Sequence, residues 1–216
     1  KRIEKLHNLY FSIQFISILL GVTISLILYL YIDEILNYWI EKDVYVDSKV
    51  FILMLVSLIL HSILGPVATL LQAIGKNSTL MYAEVWTALV NITLSIYLID
   101  IYGLLGVILG TVIAQFVFLL FIYPYMLRTV LQVKLKYFIK ESATPLLLSL
   151  LSVITCFYLY IDLIQVFDGI IMMLINSMII IIVITFIFLG IDYMLYKLKF
   201  KESLAINMTT KLKQYF

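Results

Sequence analysis

Six long apolar runs divide this chain, and they leave little freedom in what it can fold into. Leu9–Ile32, Val50–Ile74, Leu104–Leu127, Ala143–Ile161 and Ile170–Ile191 contain no Asp, Glu, Lys or Arg, and Thr79–Ile99 contains only Glu84. The runs are 19 to 25 residues long, and about 20 residues of helix cross the hydrocarbon core of a bilayer. Inside lipid a helix satisfies its own backbone groups, whereas a barrel would need shorter segments of alternating polarity. The expected fold class is an all-α membrane protein, a bundle of six transmembrane helices. A chain that is 64% hydrophobic and 13% charged, with mean hydropathy +1.11, is not a soluble globular domain. The first run is also too long for a cleaved signal, whose apolar region is roughly 7–15 residues.

Charge sets the expected orientation. With six spans, both termini share a side with the Lys76 turn and the Arg128–Ser142 segment. That side carries thirteen of the fifteen Lys and Arg residues, leaving Lys42 and Lys49 opposite. Basic residues accumulate on the cytoplasmic face, so both termini are expected there, in the plasma membrane. Residues 1–216 read as a single transmembrane lobe with a basic cytoplasmic tail over 197–216. The chain opens on Lys1 just ahead of a span, which reads as a piece of a longer chain or one lacking its first residues. A lone Cys156 excludes an intrachain disulfide.

Between spans four and five, Arg128, Gln132, Lys136 and Lys140 recur at four-residue steps, with Lys134 nearby. Leu127, Leu131, Leu135 and Phe138 occupy an adjacent face. This is the pattern of an interfacial amphipathic helix on an anionic leaflet, each base contributing about 1 kcal/mol near the surface. Membrane lipids are the partner it implies; nucleic acid is not expected for a helix tied between two spans.

Polar residues within the spans mark candidate sites. In span one, Tyr10, Gln14, Ser17, Gly21 and Ser25 share a helical face, and both cavity lining and helix packing account for it. His61 lies at the midpoint of span two, with Ser57 and Gly65 one turn away on either side. Gly65-Pro66 is expected to break that helix, because proline lacks an N–H and clashes with the preceding turn. An ionisable residue at mid-membrane is costly and points to function, and broken helices recur where transporters bind substrate. A neutral histidine bonded to a neighbouring helix is the structural alternative. Span three carries Glu84, about 7–8 Å from its cytoplasmic end at 1.5 Å per residue, and Asn91, expected to bond to another helix. In span four, Gly106-x-x-x-Gly110-x-x-x-Ala114 forms a small-residue seam beside Thr111 and Gln115, and Tyr123-Pro124-Tyr125 ends the run. The substrate-path candidates are His61, Gln14, Ser57, Glu84, Asn91 and Gln115. Neither a phosphate-binding glycine loop, a metal-ligand cluster nor a nucleophile triad is present in the sequence, so no catalytic residue, metal or cofactor is expected.

The order of motifs over Gly65–Lys140 completes the reading. A Gln72-Ala73-Ile74-Gly75-Lys76 turn leads into an apolar helix carrying Asn91. Tyr102-Gly103-Leu104-Leu105-Gly106-Val107 then opens a glycine-spaced helix. This sequence of events resembles the C-terminal half of bacterial polysaccharide flippases, within the multidrug/oligosaccharidyl-lipid/polysaccharide exporter superfamily. The resemblance implies a second six-helix lobe and movement of lipid-linked oligosaccharide of the undecaprenyl-pyrophosphate type across the inner membrane, as in O-antigen and lipopolysaccharide assembly. It further implies an N-terminal lobe, on the same longer chain or from a second copy. Related flippases hold the pyrophosphate with basic residues in the cavity, whereas here His61 is the only potential cation within a span. A cation-coupled drug exporter lobe, a membrane enzyme of polysaccharide assembly and a truncated lobe without transport activity are the alternatives.

Overall fold

A computed structural model of the chain describes residues 2–40, 47–131, 139, 143, 146–155 and 170–197. Among the described residues the secondary structure is helical and no strand occurs. In chain order the helices are α1 (Arg2–Ile40), α2 (Ser48–Ala73), α3 (Asn77–Tyr102) and α4 (Leu104–Val117). A π-helical turn, Phe118–Ile122, joins α4 to α5 (Tyr123–Leu131). Then follow α6 (Leu146–Thr155) and α7 (Ile170–Lys197). Four stretches are long and apolar enough to cross a membrane: Leu9–Trp39, Ser48–Ala73, Asn77–Tyr102 and Leu104–Met126. Shorter apolar helices, Leu146–Thr155 and Ile175–Gly190, fall within the fifth and sixth expected spans. Lys134, Lys136 and Lys140 of the expected interfacial helix, and the tail beyond Lys197, lie outside the described residues.

The chain groups into two compact units, one formed by Lys1–Ser17 and Tyr45–Ser142, the other by Ile18–Val44 and Ala143–Phe216. In unit one the core gathers Tyr10 and Phe11 of α1, Val67, Leu70 and Leu71 of α2, Leu80 and Ala83 of α3, and Phe118, Tyr123 and Met126. In unit two, Leu26 and Tyr31 pack with Ile180 and Ile184, which lie one turn apart on α7.

Three expected boundaries differ from the structure, each for a local reason. The segment Asp33–Ile40, beyond the end of the first apolar run at Ile32, continues α1 as helix. The apolar run instead ends in a kink, where Tyr31 leaves helical geometry (φ −122°, ψ 16°). Gly65-Pro66 does not interrupt α2, which runs from Ser48 to Ala73 with the proline inside it. Membrane helices tolerate such a proline when neighbouring groups satisfy the freed backbone. Tyr123-Pro124 likewise does not end the fourth span; the helix widens into the π turn and continues.

The short joints form as their residues dictate. Asp47 caps α2, its carboxylate accepting from the Lys49 N–H at 2.8 Å. At the other end Gly75 takes φ +74°, which glycine enters without a Cβ penalty. Lys76 N–H then bonds Leu71 C=O at 2.8 Å and Gly75 N–H bonds Gln72 C=O at 3.0 Å, the two bonds of a Schellman cap. Gly103, at φ +60°, turns the chain straight from α3 into α4.

The seam read from Gly106 and Gly110 is a backbone-to-backbone contact between α4 and α3. A Cβ on Gly106 would collide with the Leu98 carbonyl, and one on Gly110 would lie 2.5 Å from Ser95 Oγ and 2.8 Å from Ser95 N. Gly190 in α7, by contrast, has open space around it. Gly106→Ala should therefore cost about 1–3 kcal/mol or more by overpacking, whereas Gly190→Ala should be neutral or mildly stabilising. Thermal unfolding of the two variants in detergent checks this; equal melting temperatures would mean the helices do not meet at the seam.

Candidate functional site

Polar residues are rare in these helices, so where their heads converge is informative. In unit one a partly open cleft of about 310 Å³ lies between α2, α3 and the α4–π segment. His61 and Gly65 line it from α2, Glu84, Thr87 and Asn91 from α3, and Thr111, Gln115 and Phe118 from the third wall. Leu64, Val67, Ala68 and Leu80 supply apolar surface between them. Four of the six substrate-path candidates thus share one space. Gln14 and Ser57 are not among its lining residues, and α1 does not contribute to it.

Two of the α3 residues are held by α4. The hydroxyls of Ser95 and Thr111 both lie within bonding distance of Asn91 Oδ1, at 3.1 and 3.2 Å, and of the Val107 carbonyl, at 3.1 and 3.3 Å. Each hydroxyl proton serves one acceptor at a time, so the four groups form a compact exchange network. The bond expected from Asn91 to another helix is this one, to Thr111 of α4. Its carbonyl end is thereby fixed, and its N–H₂ group has no acceptor among the described residues. The Thr87 hydroxyl donates back to Ala83 C=O at 2.8 Å, leaving its oxygen lone pairs to the cleft. Gln115 Oε1 is buried with no hydrogen-bond partner among the described residues. His61 and Glu84 are exposed within the bare protein and make no side-chain hydrogen bond or ion pair among the described residues.

The stripe on α1 has a different fate. Tyr10 and Gln14 are each 1% exposed, and Ser25 is buried with its hydroxyl on Gly21 C=O at 2.8 Å. Tyr10 and Tyr123 join hydroxyl to hydroxyl, Gln14 Nε2 reaches the Tyr123 oxygen at 3.5 Å, and the Tyr123 hydroxyl donates to Ile63 C=O at 2.7 Å. Ile63 lies in the turn before Pro66, where the helix ladder is weakened by the missing proline N–H. The carbonyl that loses its donor is that of Ser62, four residues before the proline; the tyrosine bond ties the neighbouring Ile63 carbonyl to the end of the fourth span.

The π turn is what brings Tyr123 into position, and sequence periodicity did not disclose it. Besides Val112 and Met126, the buried positions along the fourth span are Gly106, Gly110, Ala114 and Phe118, each four apart, and then Tyr123, five further on. At 100° per residue, a five-residue step would turn Tyr123 away from the core. The Tyr123 N–H instead bonds Phe118 C=O, five residues back, and the wider turn absorbs the extra residue. Pro124 supplies the cause, because it cannot bond Leu120 C=O and its ring pushes that carbonyl aside. A buried aromatic five residues beyond a run of four-residue steps, directly before a proline, is the signal that would have located it.

Among the described residues no group of three or more His, Cys, Asp or Glu is placed to hold a metal ion. The chain matches no protein-family model, no curated protein and no solved structure. What the protein does must be read from its own cleft.

Two changes test the local mechanics. Tyr123→Phe leaves the Ile63 carbonyl and Gln14 short of a partner, and should destabilise the protein by about 1–3 kcal/mol. Deleting Leu120, an exposed residue of the π turn, should restore an ordinary four-residue step and retain the folded protein. Deleting Ile108 from regular α4 should rotate everything after it by about 100° and abolish folding. Expression and melting temperature of the two deletions decide it; equal damage would mean the π turn carries no spare residue.

Proposed function

We propose that the chain is one lobe of a polytopic membrane transporter. Six helices cross the bilayer with both termini cytoplasmic, and the cleft of α2, α3 and α4 forms part of the substrate path. The convergence of His61, Glu84, Asn91 and Gln115 from three apolar helices onto one cleft carries this reading. Ionisable and amide groups placed against lipid are costly, so such groups turn toward protein or toward a wetted space. Here they turn toward a space that no described residue fills. The resemblance over Gly65–Lys140 supports lipid-linked oligosaccharide as the substrate, moved by alternating access. A further lobe, on the same longer chain or from a second copy, closes the open side of the path. Under this reading Arg128, Lys134, Lys136 and Lys140 rest on anionic headgroups. A cation-coupled exporter lobe is the second reading, favoured by the place of Glu84 in the cleft.

Cysteine labelling separates a hydrated path from a lipid-facing groove. In a Cys156→Ala background, cysteines at His61, Glu84 and Gln115 should react with charged thiol reagents. One at Ile96, on α3 and 65% exposed in the bare protein, should stay inert because lipid covers it. Equal reactivity at Ile96 would mean that α3 does not face lipid, and inertness at the other three would mean the cleft is dry.

Orientation is tested separately in intact cells. An impermeant reagent should modify Ser48→Cys, at the start of α2, and leave Ser78→Cys, at the start of α3, untouched. In the full-length protein, His61→Ala and Gln115→Leu should each lower export of lipid-linked oligosaccharide by about tenfold or more at unchanged protein level, the scale of a lost polar contact in a desolvated site. Unchanged export in both would remove the cleft from the path.

A further inference from the structure

The donor and acceptor balance of the cleft says what kind of group it accepts. Among the described residues no Lys or Arg lines the cleft, and Glu84 is the one carboxylate there. The lining combines amide donors, from Asn91 and Gln115, with acceptors. Gln115 Oε1 is buried and unpartnered, Thr87 has committed its proton to Ala83 C=O, and Glu84 has no ion-pair partner among the described residues. A phosphate oxygen is an acceptor only and carries negative charge, so here it would meet acceptors and a carboxylate in a low-dielectric setting. A sugar hydroxyl brings a donor to Gln115, Thr87 or Glu84 and still accepts from the Asn91 amide. The apolar walls around Phe118 match the C–H faces of a pyranose ring.

Resting on the transport reading above, we infer that this cleft receives the uncharged, hydroxyl-bearing part of the substrate and excludes its phosphate. His61 then meets hydroxyls as a donor or acceptor. The Glu84 carboxylate on the same lining is why a pyrophosphate is not held in this cleft. Recognition of the phosphates falls to groups outside the cleft.

The full-length protein in nanodiscs is the material for the test, with radiolabelled octyl glucoside as probe and octyl phosphate and octylammonium as competitors of equal chain length. Binding of the glucoside should be saturable, and octyl phosphate should displace it at least about tenfold less well than unlabelled glucoside, one lost or clashing polar contact being of that size. Gln115→Leu should weaken glucoside binding by about tenfold, and the near-isosteric Thr87→Val by a smaller factor, at melting temperatures close to the parent. Glu84→Gln, which keeps an acceptor oxygen but removes the charge, should retain the glucoside and bind octyl phosphate better than the parent does.

Phosphate displacing as well as glucoside would overturn the inference. So would ammonium displacing better than glucoside, since that marks a cation site. Absence of saturable binding, or binding indifferent to both Gln115→Leu and Thr87→Val, would overturn it as well. Export is read independently: phosphate preference with export intact defeats this inference alone, and glucoside binding in a protein that moves no lipid-linked substrate defeats the transport reading alone.

Discussion

Direct contact between the backbones of α3 and α4 is the constraint on which the rest of unit one depends. In lipid there is no water to expel between apolar helices, so association relies on close van der Waals fit and on hydrogen bonds between helices. Gly106 and Gly110 provide the first by bringing α4 onto Leu98 and Ser95. The second follows from the first, because only at that separation can Thr111 reach Asn91 and Ser95 reach the Val107 carbonyl. The same contact fixes the spacing between the Asn91 and Gln115 walls of the cleft. A substitution at either glycine would thus alter the site without touching a residue that lines it.

A second constraint operates at the proline-bearing ends of α2 and the fourth span. Each proline removes a backbone donor inside an apolar segment, and each is answered differently. Pro124 is accommodated by widening the preceding turn; at Pro66 the carbonyl that loses its donor is that of Ser62, and the next one, of Ile63, takes the Tyr123 phenol from across the bundle. The two sites are linked, since the widened turn before Pro124 is what aims Tyr123 at α2. The phenol bond lies among Tyr10, Phe11 and Phe118 in the unit-one core.

Much of this was legible in the residues, and the exceptions have physical causes. The first four apolar runs coincide with helices because charge-free stretches of that length have few other folds. The Gly106 seam and the Asn91 cross-bond followed from small-residue spacing and from the cost of an unpaired amide in lipid. The cleft was legible in part. His61, Glu84, Asn91 and Gln115 were recognisable as misfits in their helices, but which misfits meet depends on helix order and rotation. Gln14 belonged to the same class of misfit and went to the Tyr10–Tyr123 cluster instead, since α1 packs there rather than on the cleft. The continuity of α2 through Pro66 was not legible, because a proline inside a membrane helix need not break it, and the Tyr123 contact next to it comes from a residue nearly sixty positions away, turned inward by a π turn that no periodicity announces.

The joints flanking α3 have a mechanical consequence. Ile74, Gly75 and Lys76 are all that separates α2 from α3, and Gly103 alone separates α3 from α4. Three extended residues reach at most about 10–11 Å, and here they are closed into a capped turn, so almost no slack remains. None of the three walls can slide along its axis by a full turn without dragging the next. Any change in access to the cleft would therefore have to come from flexing within helices, and two altered stretches, at Pro66 and at Phe118–Ile122, stand beside it.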